Sequence, residues 1–216
     1  MVTVIFLSAL PLAIAWLWLK RRVNINAPYF LGSLAAGLLS LALAAVVQIL
    51  LPAVKFGMTR GTRIGLLALA CTALTEEGSR LVMFLFFWAG LRFFGRNKTQ
   101  TADLAAAGMV AGLAFAAVET VSFTAYAQTS GLARLLRLSA VLLHATCGIR
   151  CALAASALLS KKISFLPDFA RAVILHAVYN FIALYDGALY YMLGLLLTLS
   201  SFASGIRHIR QPRTGE

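Results

Sequence analysis

The sequence predicts an all-α protein, a polytopic bundle of about seven transmembrane helices with its N-terminus outside and its C-terminus inside. Of its 216 residues, 61% are apolar and only 12% are charged, whereas soluble domains carry about 25% charged residues. The apolar residues form runs of roughly 18 to 27 residues, and about 20 such residues cross a bilayer as a helix. We therefore expect one integral membrane domain over residues 1–216, with its chemical motifs in a core of about 64–185.

The predicted spans follow the apolar runs and end at charged or turn-forming residues. The first run is expected to be a retained span, because Lys20, Arg21 and Arg22 follow it, whereas a signal peptide has basic residues before its apolar segment. The weakest break is at Asp186 and Gly187, between the last two spans. The predicted spans are residues 2–19, 29–54, 64–91, 103–127, 138–159, 165–185 and 188–206.

The net charge of +12 is better explained by lipid than by nucleic acid. The 19 Lys and Arg residues lie mostly at the ends of apolar runs, where they meet lipid headgroups. Eleven of them follow odd-numbered spans and five follow even-numbered spans. Because cytoplasmic loops are richer in Lys and Arg, this bias predicts the orientation given above for a multi-pass protein of the cell membrane. We expect membrane lipid as a partner and no nucleic acid.

Five ionisable residues lie deep within the predicted spans. A charged side chain at the centre of an inserted helix costs about 2.5 to 3.5 kcal/mol, so such residues need partners, water or a function. With a rise of about 1.5 Å per residue, all five fall within one slab of roughly 6 Å in the outer half of the membrane. This agreement favours one shared site over separate hydrogen bonds between helices. The five residues are Glu76, Glu77, Glu119, His144 and His176.

Local spacings within the spans indicate what chemistry this site suits. Glu76 and Glu77 precede Arg80 by four and three residues, so Arg80 is able to pair with either carboxylate. The other carboxylate then suits general acid–base chemistry, and the sequence leaves open which of the two it is. His176 and Asn180 lie one helical turn apart, which suits the stabilisation of a developing oxyanion.

The cysteines and serines indicate no covalent nucleophile. Cys71, Cys147 and Cys151 lie within apolar runs, which favours buried free thiols over disulfides or a zinc site. No GxSxG or comparable nucleophile elbow surrounds Ser79, Ser122 or Cys147. Water is therefore the expected nucleophile.

Four motifs together resemble the PrsW family of intramembrane proteases. The first is similar to the family's EExxK motif, with Arg80 where the family usually has Lys, and the second is similar to FxxxE, at Phe115 and Glu119. The other two match its histidine motifs at His144 and His176. The related CAAX-protease and bacteriocin-processing family has FxxxH in the second motif, so Glu119 favours the PrsW branch. The motifs are TEEGSR at 75–80, GLAFAAVE at 112–119, HATCG at 144–148 and HAVYN at 176–180.

The resemblance implies an endopeptidase that hydrolyses a peptide bond in a membrane-associated protein or peptide, such as the first cut in an anti-sigma factor. Two versions of the chemistry stay open. In one, glutamate and histidine alone activate the water; in the other, Glu119, His144 and His176 hold a zinc ion, because two imidazoles and a carboxylate form a known catalytic zinc set. The expected catalytic residues are Glu76, Glu77, Arg80, Glu119, His144, His176 and Asn180.

The main alternative from another class is a proton- or cation-coupled transporter that uses the same buried acids and imidazoles as a relay. Such transporters are built from inverted repeats with broken helices. Neither feature is evident in this sequence, so the peptidase interpretation is favoured.

Overall fold

In the computed structural model, the described residues form seven α-helices and no β-strand, which confirms the all-α prediction. The structure describes residues 2–23, 25–50, 63–93, 100–126, 131–185 and 187–210. The helices are α1 (Val2–Arg22), α2 (Ala27–Leu50), α3 (Arg63–Phe93), α4 (Thr101–Tyr126), α5 (Gly131–Leu159), α6 (Phe165–Ile182) and α7 (Ala188–Arg210).

Most helix ends lie within four residues of the predicted ends, and the start of α5 is the exception. This helix begins at Gly131, seven residues before the predicted start at Leu138. The prediction treats Arg137 as a boundary, but arginine is a good helix former and a charge alone does not end a helix. The predicted ends of the second and fourth spans, Val54 and Ala127, lie outside the described residues.

Among the described residues, four helices are long and apolar enough to cross a membrane, as expected for a membrane protein. Two of the others, α3 and α6, carry most of the ionisable residues that the sequence places inside the bilayer. The orientation of the bundle stays a prediction. The four candidate spans are Ala27–Leu50, Thr101–Ser122, Ser139–Leu159 and Ala188–Arg210.

The centre of the bundle is the contact between α4 and α5, which small residues make unusually close. A Cβ atom at Gly112 would overlap the carbonyl oxygen of His144, and one at Gly148 would overlap the carbonyl oxygen of Gly108. Small residues at such positions let helix backbones approach closely in a membrane. Helix α5 also packs against α3, α6 and α7. Its His144 contacts side chains of α3, α4 and α6, so four helices meet at this histidine.

The bundle is apolar outside and ionisable inside, the reverse of a soluble protein. Leu31, Leu39, Ile49, Phe86 and Leu189 are each more than half exposed, as expected for side chains that face lipid. Buried ionisable side chains, in contrast, come from α3, α5 and α6. Since buried charges must be paired or hydrogen-bonded, the contacts of these side chains define the site.

Candidate active site

Arg80 of α3 is the buried cation of this site. It forms an ion pair with Glu77, one helical turn earlier, and both side chains are fully buried. Its guanidinium carbon also lies 4.3 Å from the centroid of the Phe115 ring on α4, a cation–π contact. The expected pairing of Arg80 with one of the two adjacent glutamates therefore falls on Glu77.

His176 of α6 is oriented by Glu77. The Nδ1 atom of His176 lies 2.6 Å from Oε1 of Glu77. Beside a permanent guanidinium cation, Glu77 is an ionised carboxylate and only accepts hydrogen bonds, so His176 donates from Nδ1. The lone pair of a neutral His176 then lies on Nε2, which faces Glu76 with 3.6 Å between Nε2 and Oε2.

His144 of α5 joins Arg80 to Glu119. A terminal nitrogen of Arg80 lies 3.2 Å from Nδ1 of His144, and Nε2 of His144 lies 2.5 Å from Oε2 of Glu119 on α4. A guanidinium only donates, so Nδ1 accepts and Nε2 carries the proton that is donated to Glu119. Six residues from four helices thus form one continuous polar network.

The carboxylate of Glu76 accepts fewer hydrogen bonds than that of its neighbour Glu77. Its Oε1 accepts a hydrogen bond of 3.3 Å from Nε2 of Gln48 on α2. Its Oε2 is buried and has no hydrogen-bond partner among the residues that the structure describes, although buried polar atoms are nearly always satisfied. An oxygen in this position suits a metal ion, a water molecule or a substrate group as its missing partner.

The donor set around Glu76 fits a metal ion. Glu76, His144 and His176 each offer a ligand atom, and these atoms lie within 4.8 Å of one another. The 3.6 Å between Oε2 of Glu76 and Nε2 of His176 is close to the roughly 3.4 Å expected between two tetrahedral zinc ligands with bonds of about 2.0 to 2.1 Å. His144, whose two ring nitrogens face Arg80 and Glu119, would exchange one of these bonds for the metal.

This set differs in one residue from the predicted one, which combined Glu119 with the two histidines. Glu119 lies on the far side of His144, bonded to Nε2, and Glu76 takes its place in the convergent group. A second group of three, Glu77, Cys147 and His176, also lies within 4.8 Å. It suits a metal less well, because Glu77 is already bonded to Arg80 and His176.

Asn180 is the one predicted site residue that lies apart from the network. It is half-buried, one turn beyond His176 on α6, and its side chain makes no hydrogen bond to the described residues. The structure brings together the other six residues named by the sequence: Glu76, Glu77, Arg80, Glu119, His144 and His176.

Two further residues that contact the network were not predicted from the sequence to be site residues. Gln48 binds Glu76, and the Sγ atom of Cys151 lies 3.4 Å from Oε2 of Glu77. A signal existed for both: Gln48 is a polar residue within an apolar run, and Cys151 follows His144 by two helical turns and so shares its face.

Comparison with known proteins agrees with the motifs. The family model described as PrsW family intramembrane metalloprotease matches residues 26–204, a stretch that includes every residue of the network. The matched stretch extends beyond the four motifs and includes Gln48 on α2 and most of α7. No curated protein and no solved structure matches the chain significantly. From its sequence match, its apolar helices and its buried carboxylate–histidine site, this chain belongs to the PrsW family of intramembrane metalloproteases and is a membrane peptidase.

Proposed function

We propose that this chain is a multi-pass endopeptidase of the cell membrane that cuts a membrane-associated protein at the network around Glu76. The observation that carries the proposal is the buried, unsatisfied Oε2 of Glu76 beside Nε2 of His176. At this oxygen a reacting group gains a partner without displacing a hydrogen bond of Glu76. The other members of the network then have roles that follow from their contacts.

Glu76, His144 and His176 would hold the metal, with zinc the ion that this donor set suits best. When bound, such an ion polarises a carbonyl group and lowers the pKa of water, which makes water a better nucleophile. Glu77 and Arg80 do not touch the reacting atoms in this scheme. They hold His176 in the tautomer that leaves Nε2 free, as carboxylates commonly do for metal-binding histidines.

Glu119 is the proposed proton carrier. Its side chain is 22% exposed, more than any other acidic side chain of the network, and it is bonded to Nε2 of His144. As the water oxygen attacks the scissile carbonyl carbon, Glu119 accepts a proton from that water. It returns the proton to the amide nitrogen as the carbon–nitrogen bond breaks, which releases an amine and a carboxylate.

Asn180 is proposed as a donor to the oxyanion that forms on the carbonyl oxygen. Its side-chain amide has no competing hydrogen bond among the described residues, and it lies one turn from His176 on the same helix face. An amide donor already in place costs no reorganisation when charge develops.

The proposed substrate is a single-span membrane protein, with an anti-sigma factor as the specific case that the family resemblance suggests. The predicted orientation places the network in the outer half of the bilayer. A substrate helix has to unwind there before its peptide bond reaches Glu76, because helical amides are held by their own hydrogen bonds.

The test is cleavage of a co-expressed single-span substrate by purified or membrane-embedded variants. Glu76→Gln, Glu119→Gln and His176→Ala are expected to reduce cleavage by at least about a hundredfold, since each loses a ligand or the proton carrier. Cys71→Ser, at a half-buried position outside the network, is the control and should cleave normally. Normal cleavage by Glu76→Gln and His176→Ala would refute the proposal.

The transporter alternative lacks comparable support. It expects helices broken near the middle of the membrane, but α3, α4, α5 and α6 are continuous where they carry the network, over the ranges that the structure describes. Membership of a peptidase family also favours hydrolysis.

A further inference from the structure

A second polar cluster lies between α5, α6 and α7, apart from the network. Arg150 of α5 donates to Oδ1 of Asp168 at 2.8 Å and to Oγ of Ser204 at 3.1 Å. It also lies 3.4 Å from Nε2 of His208. These contacts tie three helices together through one guanidinium group that the peptide-bond chemistry does not use.

A cavity of about 410 Å³ opens beside this cluster, within the size range of ligand-binding pockets. One end of it is polar, formed by Arg150, Arg171, Ser200, Ser201 and Ser204. Guanidinium groups from α5 and α6 and serine hydroxyls from α7 are the kind of donors that commonly bind phosphate, although the Ser200 hydroxyl already donates to the carbonyl oxygen of Leu197.

Arg171 supplies a charge that the protein itself does not balance. Asp168 pairs with Arg150, but Arg171 is exposed and, within the described residues, forms no ion pair. The cluster of Arg150, Asp168 and Arg171 therefore has one net positive charge beside the cavity. An exposed, unbalanced cation near the start of α6 attracts an anionic partner.

The other end of the cavity is apolar. Ile174 and Val178 line it on α6, and Leu197 lines it on α7. From Arg171 to Val178 the helix rises about 10 Å, at roughly 1.5 Å per residue. The cavity is thus amphipathic along the helix axes. Its mouth, at the Arg171 end, is basic and carries serine hydroxyls, and its other end is lined by aliphatic side chains.

The surroundings of the basic mouth are also positively charged. Lys161 and Lys162 lie in the exposed turn between α5 and α6, and Arg207 and Arg210 lie in the last turn of α7. The predicted orientation places all four on the cytoplasmic side, whose leaflet carries anionic lipids that such basic pockets bind.

We propose that this cavity is a binding site for an anionic phospholipid of the inner leaflet. The phosphate group contacts Arg171 and the hydroxyls of Ser201 and Ser204, and the first part of an acyl chain lies along Ile174, Val178 and Leu197. The site is separate from the peptidase chemistry and does not depend on it. A bound lipid would nevertheless contact α6 directly beside the network, because Leu175 lines the cavity and the next residue is His176.

The test measures lipid binding directly, by native mass spectrometry and by thermal unfolding of the full chain in detergent with added lipid. Phosphatidylglycerol should bind and raise the unfolding temperature, and phosphatidylcholine should do so much less. Arg171→Gln should weaken phosphatidylglycerol binding about tenfold, the effect of one charge-assisted hydrogen bond. Ser201→Trp should abolish binding by filling the cavity. The matched controls are Arg207→Gln, outside the cavity, and Leu196→Trp, on the exposed face of α7.

Four results would overturn the proposal. The first is equal stabilisation by both lipids, and the second is equal weakening by Arg171→Gln and Arg207→Gln, which would indicate general surface attraction. The third is full stabilisation by inorganic phosphate alone, which would make this an anion site. The fourth is normal lipid binding by Ser201→Trp with a raised KM for peptide cleavage, which would make the cavity a substrate groove.

Discussion

Glu76 and Glu77 are adjacent carboxylates with identical chemistry, and their surroundings give them different roles. Glu77 accepts from Arg80 and His176 and is fully buried. Within the described part of the chain, Glu76 keeps one oxygen without a hydrogen-bond partner. Neighbours on a helix point about 100° apart, so the packing of α3 directs one side chain to the buried cation and the other to the reacting space.

This difference predicts that Glu77→Gln mainly lowers stability, whereas Glu76→Gln mainly lowers activity. Glu77→Gln leaves the buried Arg80 without its counter-ion and should lower the free energy of unfolding by about 3 to 5 kcal/mol. Glu76→Gln should unfold close to the wild-type temperature yet lose cleavage. Thermal unfolding in detergent and substrate cleavage, measured on the same preparations, check this. Equal destabilisation by both variants would contradict the assigned roles.

Arg80 bridges Glu77 and His144, and only a forked cation makes both contacts. The ammonium group of Arg80→Lys should keep the ion pair with Glu77 but lose the bond to Nδ1 of His144. We expect a folded variant whose cleavage rate falls about 10- to 100-fold, because the bond from Arg80 holds the His144 ring beside Glu76 and His176 until it is exchanged for the metal. Arg80→Met, which leaves Glu77 unpaired, should fail to fold stably. Wild-type cleavage by Arg80→Lys would show that the bridge to His144 is unnecessary.

The sequence was sufficient to find most of the residues that the structure brings together, because acids and imidazoles are rare in membrane spans and are costly there without a partner or a function. It was not sufficient to rank Glu76 against Glu77, since their identity and spacing to Arg80 are nearly equivalent. It also placed Glu119 among the metal ligands, where the structure groups Glu76 with the histidines. Such choices depend on side-chain directions across four helices, which no local pattern contains.

At the scale of helices, the closeness of α4 and α5 sets the distance between Glu119 and His144. Gly112 lies against the backbone of His144, seven residues, or two turns, before Glu119. Spans of this kind are readable from the sequence as Ala- and Gly-rich runs, but the partner helix is not, because small residues permit close packing without specifying what packs there.

Gly112→Ala should therefore act on the site from a distance. The added methyl group forces α4 away from α5, and we expect a loss of about 1 to 3 kcal/mol of stability together with reduced cleavage. Gly90→Ala on α3 is the control, because nothing lies within 4 Å of the added atom. It should be neutral or stabilise by up to about 1 kcal/mol. Thermal unfolding of both variants tests this prediction. Unchanged stability of Gly112→Ala would contradict the close packing of α4 against α5.

At the scale of the whole molecule, the described residues form seven helices, and four of these, α3 to α6, supply one buried polar network. Hydrophobic length predicted the number of helices because it is set by the bilayer, and it missed the start of α5 because helices continue past charged residues. The orientation rests on the distribution of Lys and Arg between loops, so it is a prediction that the fold by itself does not test.

Reporter fusions test that orientation. An alkaline phosphatase domain inserted at residues 160–164, between α5 and α6, should be inactive because this turn is predicted to be cytoplasmic. The same domain inserted at residues 183–187, between α6 and α7, should be active outside. The basic turn carries Lys161 and Lys162, and the positive-inside bias gives the expected sign. The opposite pattern would place the network in the inner half of the bilayer.

The central claim is that Glu76, His144 and His176 share one metal ion, and the metal content of purified protein tests it most directly. We expect about one zinc ion per chain, its loss in Glu76→Gln and His176→Ala, and its retention in Cys71→Ser. Chelation should stop substrate cleavage and added zinc should restore it. Undiminished cleavage by a rigorously metal-free preparation would contradict the claim.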